Sequence, residues 1–347
     1  MDVHILGAGL AGLFCGYEML KRGVTPNIYF SPAENHGASW ASQGVVSSKG
    51  LNSPESDLFE LKVTGQRYTR AKLSELLSHG IKFKMHDGVH EEFYSASEYS
   101  KICSRIYRNS FRGLYAVEIS QSPASFSKSM GALFYPYDYW VDVQGLLLSM
   151  LRFLKASGVC FYEREADQGF VCKLLKEGKK VVVASGYHSI NLLPDIKLRS
   201  EIRPVSGSTL RFLSDSNKCS LVAGAYSGHF TGSSGVLGSS AIKSVWNQDF
   251  NSKSFQELER AKDLLKLRGN DISECWLVSG TRCVAKDRLP LVGEVRGFFS
   301  GSLYLSTGFF KNGLQLIPIC SEYLANVIFG VADQTLSEKL EINLCPN

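Results

Sequence analysis

The chain has 347 residues, 44% of them hydrophobic and 20% charged, which fits a folded protein with a large core divided between two domains. A net charge of +5 permits an anionic partner without requiring one. No apolar run reaches the roughly 20 residues that span a bilayer, and the first strand begins at once with DVHIL, so no secretory leader is expected. Nine cysteines without a CxxC pair point to reduced thiols, and a cytoplasmic location is the expectation.

The opening VHILGAGLAGLFCGYEMLKRG reads as strand, tight turn and helix. Val3 to Leu6 suits a buried parallel strand. Gly7, Gly9 and Gly12 form G-x-G-x-x-G: Gly7 for the turn, Gly9 for backbone approach to a pyrophosphate, Gly12 for close packing of helix on strand. Leu10 and Ala11 open the helix, whose free N–H groups and positive dipole end would face the phosphates. The alternative is a tight turn that binds nothing. Gly23 ends the helix and Thr25 to Phe30 forms the second strand. An acidic residue that grips the adenosine ribose normally closes such a strand, but NIYFSPAEN puts Phe30 and Ser31 there. Glu34 is the nearest acid that could reach the ribose; backbone groups or water are the alternative.

HGASWASQGVVSSKG follows, rich in small residues and suited to wrapping a phosphate. Farther on, HDGVH reads as a hairpin around its glycine, so His86 and His90 are not a metal pair, and no metal is expected. SASEYSKICSRIYRNSFRG opens with a capping box, Ser95 to Glu98, and closes at Gly113. On a helix it places Lys101, Arg105, Arg108 and Arg112 on one face, beside Tyr107 and Phe111. This is a candidate RNA-contacting stripe or simply a solvated face. Lys62, Arg67, Arg70 and Lys72 are expected to add to its field from an earlier helix. IRPVSGSTLRFL and CSLVAGAY are β-rich, GHFTGSSGVLGSSA reads as a Gly/Ser loop, and SFQELERAKDLLKLRG reads as a charged amphipathic helix.

Several segments, in order, resemble the D-amino acid oxidase family of FAD enzymes. GASWASQG follows the second strand. GALFYPYDYWVDVQGLLLSMLRFLKASGVCFYE is similar to the family's strand, turn, long helix and next strand. KKVVVASGYHSINLLP resembles its segment that touches FAD again through Ser185 and Gly186. IRPVSGSTLRF resembles its P-x-x-G strand, GTRCVAKDRLPLVGEV its G-x-R…D-x-x-P-x-x-G turn, and LYLSTGFFKNGLQLIPICSEYLANVIFG its closing strand, glycine loop and last helix. The resemblance covers essentially the whole chain.

It implies an α/β fold: a Rossmann-like FAD-binding domain of the D-amino acid oxidase and glutathione reductase type, with an α+β substrate domain built on an antiparallel sheet. The FAD-binding domain would comprise residues 1–80, 139–203 and 278–347, and the substrate domain 81–138 and 204–277. FAD would be held non-covalently. Ser39, Gln43, Gly44, Gly308, Asn312, Gly313 and Leu314 would join the glycine turn around it, with Ser47 and Ser48 as secondary candidates. The implied reaction is oxidation of a C–N bond in an amino acid or secondary amine, with hydride passing to flavin N5, hydrolysis of the imine and reoxidation by oxygen. Arg282 sits where the family places a substrate-carboxylate arginine, and Lys311 where glycine oxidases carry a second cation. Tyr187 and Tyr226 are candidate pocket-lining residues, with core packing as the alternative. Cys283 neighbours Arg282, but its spacing to Asp287 does not match relatives that attach flavin to cysteine. A second member type, the oxidoreductase domain of the bifunctional tRNA wobble-uridine modification protein, would instead remove a carboxymethyl group from carboxymethylaminomethyluridine. A third reading is a flavin-fold binding module without turnover.

Overall fold

The computed structural model describes residues 1–31, 37–47, 57–110, 118–120, 130–193, 199–214, 218–222, 225–229, 233–238, 275–295 and 302–331, with 256, 259 and 263. The chain begins with β1 (Val3–Leu6), α1 (Leu10–Lys21), β2 (Asn27–Phe30) and β3 (Val45–Val46). It continues through α2 (Asp57–Ser78), β4 (Met85–Phe93), α3 (Ala96–Ser110), β5 (Glu118–Ser120) and β6 (Gly131–Val141). Next come α4 (Val143–Ala156), β7 (Cys160–Glu163), α5 (Gln168–Lys176), β8 (Lys180–Val183) and the short α6 (Ser189–Leu192). The remaining elements are β9 (Ile202–Ser214), β10 (Lys218–Val222), β11 (Ala225–His229), β12 (Ser233–Gly238), β13 (Cys275–Ala285), β14 (Leu291–Val295), β15 (Ser302–Thr307) and α7 (Gly313–Phe329).

Six strands form one sheet in the order β14-β15-β8-β1-β2-β7, parallel except for β14. Both of its faces are covered, which is why VHIL and VVV are apolar without alternation. α1 is buried from Leu10 to Met19 and packs against α4 and α7. In α7, Ile317, Ile319, Tyr323, Leu324 and Ile328 fill the core, and the left-handed Gly330 ends the helix. At Gly65, α2 and α7 meet so closely that a Cβ would lie 2.7 Å from the Gln315 carbonyl.

Nine strands form the second sheet, β13-β9-β12-β11-β10-β4-β6-β3 with β5 on β6, antiparallel except at β10–β4. β13 pairs with β9 along its whole length, from Cys275 opposite Phe212 to Ala285 opposite Ile202. Its far end thereby arrives at the edge of the first sheet, where the turn at Lys286 to Leu289 leads into β14.

Three local expectations are corrected. HDGVH is no hairpin: it lies inside the single strand β4, which absorbs Gly88 (φ +80°) as a bulge between Asp87 and Val89. SSGVLG is no loop: as β12 it pairs with β9 and β11, burying Val236 and Leu237. Lys62 and Lys72 are 6% and 3% exposed and add nothing to a surface field, because α2 turns them toward the interior. Arg67 is exposed, and Arg70 pairs with Asp87.

The capping box of α3 forms in altered shape. Ser95 Oγ accepts from the Glu98 amide at 3.2 Å, and the Glu98 carboxylate reaches back to the Tyr94 amide at 2.7 Å. Lys101 is exposed on α3; the backbone of Arg105 and Arg108 continues that helix, and Arg112 lies outside the described residues, as does nearly all of SFQELERAKDLLKLRG. Cys15, Cys103, Cys160, Cys172, Cys275, Cys283 and Cys320 are free. Among the described residues no helix is long and apolar enough to cross a membrane, and no cluster of His, Cys, Asp and Glu could hold a metal.

Candidate functional site: a cavity between two helix N-termini

A cavity of about 1770 Å³ runs along the carboxyl ends of the parallel strands and under the second sheet. Its size exceeds the roughly 300–1,000 Å³ of an ordinary small-molecule site. A dinucleotide with a substrate beside it fits that scale. The cavity's position at the strand ends is where open α/β sheets bind ligands.

The glycine turn forms its first wall. Gly7 has φ +118°, and a Cβ there would stand 2.5 Å from the Ala184 carbonyl. A Cβ on Gly12 would lie 1.8 Å from the Gly7 carbonyl, so the strand–helix crossing admits only glycine. Gly9 meets only Ser39, with Oγ at 3.2 Å, and its open side faces the cavity. No side chain caps the helix at Gly9; instead Ser39 Oγ accepts from the Leu10 amide at 3.1 Å. Leu10 and Ala11 line the wall as expected.

The loop from Gly37 to Gly44 forms the second wall, held by its carbonyls. Arg211 donates to Ser42 O at 2.9 Å and to Trp40 O at 3.4 Å. Gln144 donates to Trp40 O at 3.1 Å, and the Trp140 indole donates to Gln43 O. Ser39, Gln43, Gly44 and Ser47 all line the cavity. Arg211 was not singled out from the sequence, although an arginine between the buried Leu210 and Phe212 was a readable signal: it is 1% exposed, and burial lowers its pKa to about 10.

The third wall brings the two expected cations together. The amide of Phe310 donates to Cys283 O at 2.8 Å, and Val284 bridges Phe309, so the GFFKNG loop is stapled to the end of β13. Arg282 on that strand and Lys311 in that loop therefore both line the cavity. Arg282 is recessed, and loss of water lowers its pKa to about 10. Lys311 is more exposed; partial burial, then the charge of Arg282, lowers its ammonium pKa. Gly308 (φ +80°), Asn312, Gly313 and Leu314 complete this wall. No side chain caps α7 at Asn312, so a second helix N-terminus opens into the same cavity.

Ser185 and Gly186 lie between these walls, with Ser185 Oγ on Leu6 O at 2.6 Å and Gly186 O accepting from Thr307 Oγ1 at 2.9 Å. Tyr187 lines the cavity while packing on the core beside it. Tyr226 is placed by its backbone in β11. Cys283 is buried, its Sγ 3.2 Å from Thr307 Oγ1. Glu34 and Ser48 lie outside the described residues. Where β2 ends, Phe30 and Ser31 share the cavity wall with Arg164 and Glu165, which follow the neighbouring strand β7. An acid thus stands on the adjacent strand's exit. Two further residues of the wall, Lys62 and Arg288, were not assigned to it from sequence.

The model of the family described as "FAD dependent oxidoreductase" (DAO) matches residues 2–327. The chain is 25% identical to a glycine oxidase of Bacillus licheniformis over 95% of its own length and 93% of that protein. It is 24% identical to the bifunctional protein MnmC, of tRNA 5-methylaminomethyl-2-thiouridine biosynthesis, from Shewanella amazonensis; there it aligns over 99% of its length and spans 59% of that protein. Among solved structures, the glycine oxidase of Bacillus cereus superposes with a TM-score of 0.76 at 23% identity, covering 100% of this chain and 99% of that one. The iminodiacetate oxidase of Chelativorans sp. BNC1 superposes with a TM-score of 0.77 at 19% identity, covering 97% and 98%. The chain belongs to the DAO family of FAD-dependent oxidoreductases.

Proposed function

We propose that this FAD-dependent oxidoreductase oxidises the C–N bond of a small amino acid or secondary amine that carries a carboxylate. The carrying observation is the convergence of Arg282 and Lys311 on one cavity wall, close enough that the charge of one depresses the ionisation of the other. Two like charges held together favour an anion between them. The Arg282 guanidinium offers a carboxylate two parallel N–H donors, and the Lys311 ammonium adds a point charge. Held by its carboxylate, the substrate would present the adjacent carbon and its nitrogen to FAD bound along the same cavity. Bound FAD supplies the hydride acceptor, and water then hydrolyses the imine.

FAD fits the walls. The glycine turn and the open N-terminus of α1 suit its pyrophosphate, and Ser39, Gln43, Gly44, Ser185, Gly186, Gly308, Asn312, Gly313 and Leu314 suit the remainder. In this reading the six-stranded sheet belongs to the flavin domain (1–80, 139–203, 278–347) and most of the nine-stranded sheet to the substrate domain (81–138, 204–277). The likeness to MnmC over nearly the whole chain supports a second reading, in which the amine belongs to a carboxymethylaminomethyl group on tRNA and α3 contributes basic residues such as Lys101.

Anaerobic addition of glycine, sarcosine, D-alanine and carboxymethylaminomethyl-modified tRNA to the FAD-loaded protein separates these. Bleaching of the flavin by one of the three small amines supports the first reading, and bleaching by the tRNA alone supports the second. A protein that binds FAD but is bleached by none of the four counts against both readings and favours a binding module.

A further inference from the structure

Lys62 is a cavity-lining lysine for which the carboxylate-anchoring site has no use. It projects from the first half of α2 and is 6% exposed. Its backbone carbonyl accepts from Gln315 Nε2 at 2.7 Å, and two turns later Thr69 Oγ1 donates to Gln315 O at 2.9 Å. With the close contact at Gly65, these bonds fix Lys62 beside the first turn of α7, whose N-terminus opens uncapped into the cavity. Asp138 is the charge that opposes burial at Lys62, and it is already engaged by Ser47 Oγ at 2.6 Å and Gln66 Nε2 at 3.0 Å. Asp138 therefore steadies the ammonium without absorbing it in a pair of its own. Burial lowers the lysine's pKa to about 8, so it remains mostly cationic at neutral pH.

Of the longer helices whose N-termini reach the cavity, α1 and α7 lack a side-chain cap, whereas Asp167 caps α5. The glycine turn at α1 suits the pyrophosphate, which leaves α7 for the other electron-rich part of FAD, the pyrimidine edge where negative charge collects on reduction. We propose that Lys62 is a positioning cation for that edge: it reinforces the α7 N-terminus and raises the flavin's affinity for the electron pair withdrawn from the substrate. The proposal rests on the reading of this cavity as the FAD site. It requires no bond to Lys62 and no proton transfer from it.

The test is the two-electron reduction potential of the bound FAD, measured by equilibration with a reference dye in the wild type, Lys62→Met and Lys62→Arg. The expected result is a hold on the electron pair at least tenfold weaker in K62M, about 30 mV more negative, with K62R returning most of the shift. A K62M protein that binds FAD at the wild-type potential overturns the proposal and leaves the functional reading intact. A wild-type protein that takes up no FAD overturns both. Should K62M not fold, K62Q removes the charge while keeping a donor for Asp138, and its potential is judged by the same standard.

Discussion

The two ends of the stripe that α2 turns to α7 bury the same residue type in opposite ways. Toward α1 and α7, Lys72 stands 2.8 Å from Glu18, 3.0 Å from Glu75 and 3.2 Å from Glu322. Arg22 bonds Glu18 at 2.7 Å and Asn326 at 2.7 Å, and Tyr17 links Glu75 to His79, so the network ties three helices. Burial is the largest effect on the Lys72 ammonium and lowers its pKa, yet the hydrogen bonds and charges of Glu18 and Glu75 together outweigh it, and the net direction is upward. Toward the cavity, Lys62 has Asp138 at its side and is pushed down to about 8. Arg282 and Lys311 share its direction. Burial alone does not set the direction for these two lysines; the carboxylates around each ammonium do.

The sharpest way to break this contrast is Lys72→Met. It leaves Glu18, 1% exposed, with Arg22 alone. Urea denaturation should show a loss of roughly 3–5 kcal/mol; a loss below about 1 kcal/mol would mean the network is not a structural tie. Lys62 predicts the opposite pH behaviour. Its native pKa lies below the ordinary 10.5, so between about pH 8 and 10.5 the unfolded chain holds a proton that the native state has released. Native stability therefore gains as pH rises through that window. The wild type should gain on Lys62→Met by up to about 3 kcal/mol, since each tenfold difference in proton affinity between the two states contributes about 1.4 kcal/mol. Paired denaturation curves at pH 7 and pH 10 check both sign and size, and a constant gap contradicts the assignment.

Arg282→Gln should leave stability and FAD binding unchanged while lowering kcat/KM for the carboxylate substrate about 100-fold, near 3 kcal/mol. Equal loss on a substrate without a carboxylate would remove Arg282 from the anchor. The smallest effect belongs to Lys311. Because its ammonium pKa is lowered, substrate affinity should fall as pH rises, sooner than with an ordinary lysine. Lys311→Arg should hold KM level to higher pH and improve it a few-fold through the guanidinium fork, about 1 kcal/mol. A KM profile identical in both proteins would place Lys311 outside the site.

Local sequence carried the glycine turn in full. Gly7 and Gly12 are demanded by backbone contacts that any side chain would violate, so their spacing alone states the geometry. It carried β1, α1 and α7 as well, since unbroken apolar runs and a terminal glycine have few other meanings. It misread HDGVH and SSGVLG because a glycine inside a strand looks like a turn until a partner strand supplies the hydrogen bonds. The approach of Arg282 to Lys311 was readable only through family resemblance; the two are far apart in the chain, and the staple from Phe310 to Cys283 that closes the gap is a backbone bond without a sequence signature.

Lys62 and Lys72 mark the division most clearly. From sequence they are two basic residues on one helix, and a solvated stripe was a fair expectation. Both were expected on a helix earlier than α3, and the structure gives that helix as α2. Which lysine would meet Glu18, Glu75 and Glu322, and which would meet an open cavity, was decided by the packing of α2 against α1 and α7. A lysine's charge is local, but the carboxylates and water that set its ionisation arrive from elsewhere in the chain.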